Sequence, residues 1–321
     1  MSGCLLRVLS QNVSCDTHSV KLTSSLGDEF SFENRIKVTI DNLAKLKADV
    51  IALNEIRIKE KVEFTKQLLE NKGFSVFLFW NNENDMSFRN IIAISKQSKW
   101  NQTKWEHKWV SVNEQNQPCL SNVFSTIQGD QHGRCVGIVY LQHKDTKKQV
   151  CVAVSHVVPF GEVKYLQQKA LMSLNIDNHK LDPPVSTIIA GDLNRFDEDK
   201  EIFQQQIKNF KLQELQFSKL VIKHSQNNLI RTNKDVGTFN PWPVDKMLYE
   251  DKSYMAQPMS YSKLDLQVCS NDMTIKQAEV HASMLKPPNL TEPSPGVNEV
   301  RHILDKVMSS DHLAVLGEYE I

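Results

Sequence analysis

Side chains that can handle a phosphate, a cation or a water molecule follow a short apolar run near residue 190. The run at 187–190 is followed by the sequence Gly-Asp-Leu-Asn at 191–194. In an extended chain alternate side chains point to the same side, so Asp192 and Asn194 are expected to share one face. A carboxylate there can hold a hard cation or orient water, and an amide can hydrogen-bond a phosphate oxygen. The same four residues also form ordinary turns, so this pattern alone leaves both interpretations open.

Polar residues of the same kind stand beside several other apolar, β-rich runs. The set comprises Asn12, Glu55, His156, Asp265, Asp311 and His312. Each residue alone is better explained as part of a turn, because Asn, Asp and Ser are common where strands end. Their joint occurrence along the chain favours one shared site.

In this order, the residues resemble the endonuclease/exonuclease/phosphatase superfamily, which includes deoxyribonuclease I. Gly-Asp-Leu-Asn at 191–194 and Ser-Asp-His at 310–312 carry the resemblance, and Leu-Asn-Glu at 53–55 and Ser-His at 155–156 support it. The resemblance implies an α/β fold, a four-layer α/β/β/α sandwich of two packed mixed β-sheets flanked by helices. It also implies a single domain over residues 1–321 and metal-dependent hydrolysis of a phosphoester.

The resemblance further implies a metal site for Mg²⁺, with Mn²⁺ expected to substitute. Glu55 matches the main metal-binding carboxylate, Asn12 lies beside it on the first strand, and Asp311 is a candidate helper. Magnesium usually takes one or two protein carboxylates and completes its shell with water and phosphate oxygens. One glutamate therefore suffices as the principal ligand.

The catalytic roles that the resemblance implies fall on five residues. Asp192 matches the residue that orients or deprotonates the attacking water, and Asn194 matches the one that holds the scissile phosphate. His156 matches a histidine that hydrogen-bonds a phosphate oxygen. His312 matches a site histidine paired with an aspartate, here Asp265. Whether Asp192 or His312 is the base stays open at this stage.

Four further residues are candidates for substrate binding. Arg57 and Arg89 lie near predicted strand ends, where they would contact phosphate or pair with a carboxylate. Phe239 and Trp242 lie in a proline-rich loop before the Asp265 strand. They would either flank a leaving group or form a hydrophobic plug under a rigid turn, and the sequence does not decide between these alternatives.

Lysine and tryptophan alternate in the segment 99–109. Lys-Trp pairs occur at 99–100, 104–105 and 108–109. Such a segment could stack nucleic-acid bases or sit at a membrane interface. We favour the simpler interpretation, in which the tryptophans pack over one edge of the fold and the lysines are solvated.

The elements that must position these residues follow from hydrophobic periodicity. Strands are predicted at 5–9, 49–53, 90–95, 135–141, 150–155, 186–190, 264–269 and 313–319. Helical apolar spacing predicts helices around 36–46, with Ser31 as N-cap, around 166–174 and around 203–210. Strands mixed with helices over the whole length indicate an α/β domain but leave the strand order undetermined.

Composition excludes several classes of protein. The chain has 321 residues and a formal net charge of zero, so no global basic field attracts nucleic acid or an anionic membrane. Its six cysteines include no Cys-x-x-Cys pair, which favours buried free thiols in a reducing compartment. No apolar run approaches the ~20 residues that span a bilayer, and the N-terminal apolar stretch is too short for a signal peptide. We expect an intracellular monomer with no transmembrane segment.

These features lead to a functional hypothesis with two alternatives. The main hypothesis is a Mg²⁺-dependent phosphoester hydrolase of the phosphodiesterase or nuclease type, whose partner is its phosphoester substrate. Nucleic acid remains a candidate substrate that the net charge does not support. An inositol-phosphate- or sphingolipid-directed enzyme of the same fold is the first alternative. A catalytically inactive binding or scaffold protein is the second.

Overall fold

The computed structural model describes most of the chain, with gaps. The described residues are 3–14, 28–79, 89–115, 117–124, 127–128, 133–159, 161–216, 219–223, 228–232, 265–282, 312 and 314–321. Every predicted strand and every predicted helix lies within or overlaps an element of the structure.

Fifteen strands and four α-helices form the described part of the fold. The strands are β1 (Leu5–Asn12), β2 (Val50–Ile56), β3 (Phe74–Phe79), β4 (Arg89–Ser95), β5 (Trp100–Val112), β6 (Pro118–Ser121), β7 (Cys135–His143), β8 (Gln149–His156), β9 (Ser186–Asp192), β10 (Leu212–Glu214), β11 (Lys219–Lys223), β12 (Asn228–Thr232), β13 (Asp265–Ser270), β14 (Thr274–Ala282) and β15 (Ala314–Glu320). The helices are α1 (Phe32–Ala44), α2 (Lys59–Asn71), α3 (Gly161–Asn178) and α4 (Lys200–Asn209). Short 3₁₀ turns cover Asp28–Phe30 and Asp197–Asp199.

The first helix begins where the sequence predicts. Ser31 is the N-cap of α1, and its side chain accepts a hydrogen bond from the backbone N–H of Asn34 at 3.4 Å. This bond satisfies one of the N–H groups that a helix leaves without a partner in its first turn. Ile36, Ile40 and Leu43 are buried on one face of α1, as the helical spacing predicts.

The strands form two mixed sheets. One sheet has eight strands in the order β12-β11-β14-β15-β1-β2-β4-β3, and the other has seven in the order β10-β13-β9-β8-β7-β5-β6. In the first sheet β1 and β2 are parallel, and in the second β8 and β9 are parallel. These two parallel pairs bring the carboxyl ends of β1, β2, β8 and β9 to one end of the molecule, where the predicted site residues lie.

Three hydrophobic clusters divide the molecule into four layers. Val8 and Val50 of the first sheet share the central cluster with Val152 of the second sheet. A second cluster joins α3 and α4 to the outer face of the seven-stranded sheet, and a third joins α1 and α2 to the outer face of the eight-stranded sheet. The predicted α/β/β/α sandwich is confirmed.

The sequence did not predict α2 or strands β3, β5, β6, β10, β11, β12 and β14. Of these elements, α2, β5 and β14 carry many polar or charged side chains. Strand β5 contains the alternating Lys-Trp segment except Lys99. Trp100 and Trp109 are buried, whereas Trp105 is half exposed. Lys104 and Lys108 form ion pairs with Glu106, so two of the three tryptophans pack as expected and these two lysines pair on the surface.

Two further expectations concern the cysteines and membrane spans. The five cysteines within the described residues are free: Cys4, Cys119, Cys135, Cys151 and Cys269. Cys15 lies outside the described residues. Among the helices that are described, none combines the length and the apolar character that crossing a bilayer requires.

Candidate active site

Three neighbouring strands of the seven-stranded sheet place His156, Asp192 and Asp265 in one row. In the backbone register, Asp192 at the end of β9 pairs with His156 at the end of β8 and with Asp265 at the start of β13. Neighbouring strands lie ~4.8 Å apart, so the three side chains start from adjacent positions. Residues far apart in sequence thus become neighbours because of strand order alone.

The eight-stranded sheet reaches the same row through Asn12. The last residue of β1, Asn12, donates from its side-chain Nδ2 to Asp192 Oδ2 at 3.0 Å. Its backbone N–H donates to Asp265 Oδ1 at 3.3 Å. Asn12 therefore contacts both carboxylates, and these hydrogen bonds join the two sheets at the end where the predicted residues lie.

Asp192 is held by several donors and is almost fully buried. The Asn194 backbone N–H donates to Asp192 Oδ1 at 3.0 Å, and His156 Nε2 lies 3.5 Å from Oδ2. Burial raises the pKa of Asp192 to about 6, the nearby Asp265 carboxylate raises it as well, and His312 opposes the shift. A carboxylate that titrates in this range can accept a proton from water near neutral pH.

His312 is oriented by Asp265, as the resemblance implies. His312 Nδ1 lies 2.6 Å from Asp265 Oδ2, and Asp265 is completely buried. A carboxylate can only accept at neutral pH, so Nδ1 carries the proton and Nε2 is the second polar atom of the ring. Gln11 fixes the backbone here, since its Nε2 donates to the His312 carbonyl at 3.0 Å.

Glu55 projects from an irregularity in β2. The pairing between β2 and β4 shifts between Leu53 and Ile56, and Glu55 has a φ of +73°. Bulges of this kind re-aim a side chain and occur often beside active sites. A non-glycine residue in the left-handed region costs on the order of 1–2 kcal/mol, which the surrounding sheet must offset.

Glu55, Asp192 and His312 together could hold a metal ion. Each offers a ligand atom, and these atoms lie within 4.8 Å of one another. The two carboxylates match the oxygen preference that Mg²⁺ and Mn²⁺ share. The donor set therefore fits the cation that the sequence predicts, with Asp192 in place of Asp311 as the second carboxylate among the described residues.

His156 is a neutral imidazole in this site and not a cation. Burial lowers the pKa of His156 well below its usual range, and the positive charges of Arg134, His312 and Arg57 lower it further. The imidazole is therefore neutral near pH 7. A neutral ring still donates one N–H, which is what contact with a phosphate oxygen requires.

Gly191 permits the close approach of the two sheets behind Asp192. Its φ is +125°, and a Cβ atom there would lie 2.3 Å from the Ser155 carbonyl oxygen and 2.9 Å from Asn54 Oδ1. Asn54 is itself fixed, because its Nδ2 donates to Asn90 Oδ1 at 2.7 Å. A larger residue at 191 would have to displace backbone.

Asn194 also adopts a left-handed backbone, with a φ of +49°. Its Nδ2 donates to the Val157 carbonyl at 2.6 Å, which ties the loop after β9 to the loop after β8. An amide nitrogen has two hydrogens, so this bond engages one of them. The phosphate-binding role of Asn194 stays a prediction.

The remaining predicted residues divide into two groups. Arg57 follows Glu55 by two positions and its charge acts on His156, while Arg89 pairs with Ile56 in the backbone register. Both arginines thus lie at the site end of the eight-stranded sheet. Asp311, Phe239 and Trp242 lie outside the described residues.

Sequence reasoning missed Arg134, whose charge acts on His156. It also missed Gln167 and Gln168, which are buried on α3. No motif marks these three positions, because arginine and glutamine on a loop or helix ordinarily indicate a solvated surface.

Comparisons with known proteins match the architecture. No protein-family model matches the sequence, and no curated protein matches it either. An endonuclease/exonuclease/phosphatase family protein from Bacteroides thetaiotaomicron has a TM-score of 0.66 at 16% identity, over 99% of this chain and 98% of that chain. A mannosyl-6-phosphatase from the same species gives 0.66 and 16%, over 98% and 100%.

A third solved structure is TDP2 from D. rerio, complexed with a single-strand DNA product. It has a TM-score of 0.59 at 13% identity and covers 99% of both chains. Across all three proteins the likeness extends over nearly the whole chain at low identity. The chain therefore has the fold of the endonuclease/exonuclease/phosphatase family, as its sequence predicts.

Proposed function

We propose that this protein is a divalent-metal-dependent phosphoester hydrolase, with Mg²⁺ as its cation and a phosphodiester as its first candidate substrate. The single observation that carries the proposal is the convergence of Glu55, Asp192 and His312, with ligand atoms within 4.8 Å of one another. The proteins of the same fold include a mannosyl-6-phosphatase and a TDP2 bound to a DNA product, which supports chemistry on phosphoesters.

Asp192 is proposed as the general base. Its carboxylate is buried and has a pKa of about 6, close to the range in which a general base works best at neutral pH. Donors from Asn12 and from the Asn194 backbone hold its two oxygens in place. The carboxylate would orient a water molecule toward phosphorus and accept its proton.

His312 and His156 are proposed to stabilise the phosphate. His312 donates Nδ1–H to Asp265, and in its imidazolium form it would also donate Nε2–H to a phosphate oxygen. His156 is neutral and donates a single N–H. Hydrogen-bond donors aimed at developing negative charge lower the barrier to phosphoryl transfer.

A cation fits beside these groups. When bound, it would polarise the phosphate and neutralise charge that develops on it. Glu55 would be its main ligand, because a glutamate on the irregular strand β2 reaches the same space as Asp192. Glu55→Gln should remove the stabilisation against thermal unfolding that Mg²⁺ or Mn²⁺ gives to the wild-type protein.

A substrate panel with Mg²⁺ or Mn²⁺ tests the proposal. It should include a generic phosphodiester, single-stranded DNA, abasic DNA, tyrosyl-DNA, an inositol phosphate, sphingomyelin and mannose 6-phosphate. We expect turnover of at least one of them that EDTA abolishes. Truncation of Asp192 or His312 to alanine should then lower the rate on the order of 10²–10⁴-fold.

Two results would contradict the proposal in different ways. Turnover that survives both Asp192→Ala and His312→Ala would contradict the assigned roles. Absence of turnover across the panel, together with no heat of metal binding by calorimetry, would favour a binding protein that keeps the fold. A preference for inositol phosphate or sphingomyelin would retain the chemistry and change the substrate class.

A further inference from the structure

We propose that Gln167 and Gln168, adjacent on α3, are positioning residues that hold the two catalytic loops at a fixed separation. The loops are the segment after β8, which follows His156, and the segment after β9, which carries Asn194. The inference rests on the proposed function, since it concerns the geometry of that same site. Neither glutamine belongs to the set of groups assigned to substrate or metal.

Gln168 holds the loop after β9. Its Nε2 donates to the backbone carbonyl of Leu193 at 2.8 Å. Leu193 lies between the proposed base and the proposed phosphate-binding amide, and this bond fixes the peptide group that joins Leu193 to Asn194. A shift of this carbonyl would move both side chains.

Gln167 holds the loop after β8. Its Oε1 accepts a hydrogen bond from the backbone N–H of Val158 at 2.9 Å. Val158 lies two positions after His156 in a segment with no strand or helix assignment. Consecutive residues of one helix thus contact one loop each.

The two loops are also bound to each other. The Val157 N–H donates to the Asp192 carbonyl at 2.9 Å, and Asn194 Nδ2 donates to the Val157 carbonyl at 2.6 Å. With the two glutamines, these bonds form a closed set that links α3 and both loops. In such a set, a change in one bond alters the spacing between His156 and Asn194.

Both glutamine side chains are buried, although an apolar side chain would fill a buried position at a lower cost in free energy. Gln167 is 0% exposed and Gln168 is 1% exposed. Within the described residues, Oε1 of Gln168 has no hydrogen-bond partner, and burying such an atom costs free energy. Methionine would fill the same volume without that cost. The polar ends are therefore retained for the loop contacts.

The same helix offers a matched control in Asn175. This residue is also fully buried, and its Nδ2 donates to the Phe210 carbonyl at 2.8 Å. Its Oδ1 accepts from Ser270 Oγ at 2.5 Å. Ser270 is the last residue of β13, the strand that begins with Asp265. Asn175 therefore binds the end of β13 that is far from the site. Loss of Asn175 should weaken folding without moving the site.

Steady-state kinetics on the best substrate of the panel is the first test. Gln168→Met should lower kcat about 10- to 100-fold, because small misplacements of reacting groups carry costs of this size. KM should change less than about threefold. Asn175→Leu, which also removes buried hydrogen bonds, should lower the melting temperature and leave kcat unchanged. Equal losses of kcat in the two variants would overturn the inference.

A pH profile separates positioning from packing. In Gln168→Glu, the ionised carboxylate cannot donate to the Leu193 carbonyl, whereas the protonated carboxyl group can. The ratio of kcat in Gln168→Glu to kcat in Gln168→Met should therefore rise as pH falls from about 8 to 5, across the range in which a buried carboxyl titrates. A ratio that stays flat would contradict a donor role for residue 168.

Hydrogen exchange provides a readout that needs no turnover. In the full-length protein with EDTA, Gln167→Met should speed amide exchange at Val158, and Gln168→Met should speed it at Asn194, each at least tenfold. Asn175→Leu should leave the exchange rates of both amides unchanged once its lower global stability is taken into account. If the wild type hydrolyses nothing, the proposed function fails while the exchange pattern still decides the loop contacts. If Val158 and Asn194 exchange at wild-type rates in both glutamine variants, the inference is overturned.

Discussion

Asn12 donates from Nδ2 to Oδ2 of Asp192 across 3.0 Å, and this hydrogen bond joins the two β-sheets at the site. The residues come from β1 and β9, which lie in different sheets. Because Asn12 also donates its backbone N–H to Asp265, both carboxylates of the seven-stranded sheet are held against β1 of the other sheet, and their orientation depends on how the sheets pack. Site geometry and sandwich packing are therefore linked through one residue, Asn12.

Removal of the Asn12 side chain should impair catalysis through Asp192. The bond from Asn12 lowers the pKa of Asp192, opposing the effect of burial. Asn12→Ala should therefore raise this pKa, shift the acidic limb of the pH–rate profile to higher pH, and lower kcat about 10- to 100-fold. Asn113→Ala is the control, because Asn113 accepts hydrogen bonds only within an exposed turn among its described contacts. An unshifted acidic limb would argue against Asp192 as the base.

Asp265 should act through His312 and not independently. With Nδ1 of His312 held at 2.6 Å from Asp265, Asp265→Asn would disturb the ring tautomer and lower kcat on the order of 10²-fold or more. In a His312→Ala background the same change should cost little more, because groups that act as a unit are not additive. A double-mutant cycle on kcat/KM measures this coupling. Additive losses would show that the two residues act separately.

Asp192→Asn should stabilise the metal-free protein at neutral pH. The pKa of Asp192 is about 6 in the folded protein, whereas an unfolded aspartate titrates near ~4. Between these values the folded state binds more protons than the unfolded state, so stability falls as pH rises. The variant lacks this titration, and its advantage should grow between about pH 4 and 6, reaching on the order of 2 kcal/mol.

Chemical denaturation of both proteins in EDTA at several pH values checks this expectation. The free energy of unfolding should be compared as a difference at each pH, because the other titrating groups then cancel. Added Mg²⁺ should stabilise the wild type and reduce the difference. If the difference in the free energy of unfolding does not change between pH 4 and 6, burial does not raise the pKa of the Asp192 carboxyl group.

The strongly apolar core strands predicted an α/β domain, whereas the four-layer sandwich was implied by the resemblance of the site motifs to a known family. Runs such as 150–155 and 186–190 are buried on both faces, and continuous Val, Ile and Ala residues mark strands of that kind. The sequence could not give the strand order, which depends on long-range pairing. It also missed α2, whose Lys- and Glu-rich sequence leaves few apolar positions to reveal its period.

The site was predictable only where side-chain type and strand end coincided. Asp192 and His156 follow apolar runs and could be placed at one edge. The bulge at Glu55 could not be foreseen, because its left-handed backbone follows from the shifted pairing of β2 with β4. Gln167 and Gln168 gave no signal, since their contacts with backbone atoms of two loops exist only once α3 packs against β9.

Gly191→Ala should be markedly more destabilising than Gly73→Ala. Both glycines have positive φ, +125° at Gly191 and +86° at Gly73, but only Gly191 has neighbours where a Cβ would lie. Strain alone should cost Gly73→Ala about 1–2 kcal/mol. At Gly191 the Ser155 carbonyl oxygen lies 2.3 Å from the added atom, so the total should exceed ~3 kcal/mol. Equilibrium denaturation measures both variants, and similar losses would mean that β8 and β9 shift to admit the added methyl group without cost.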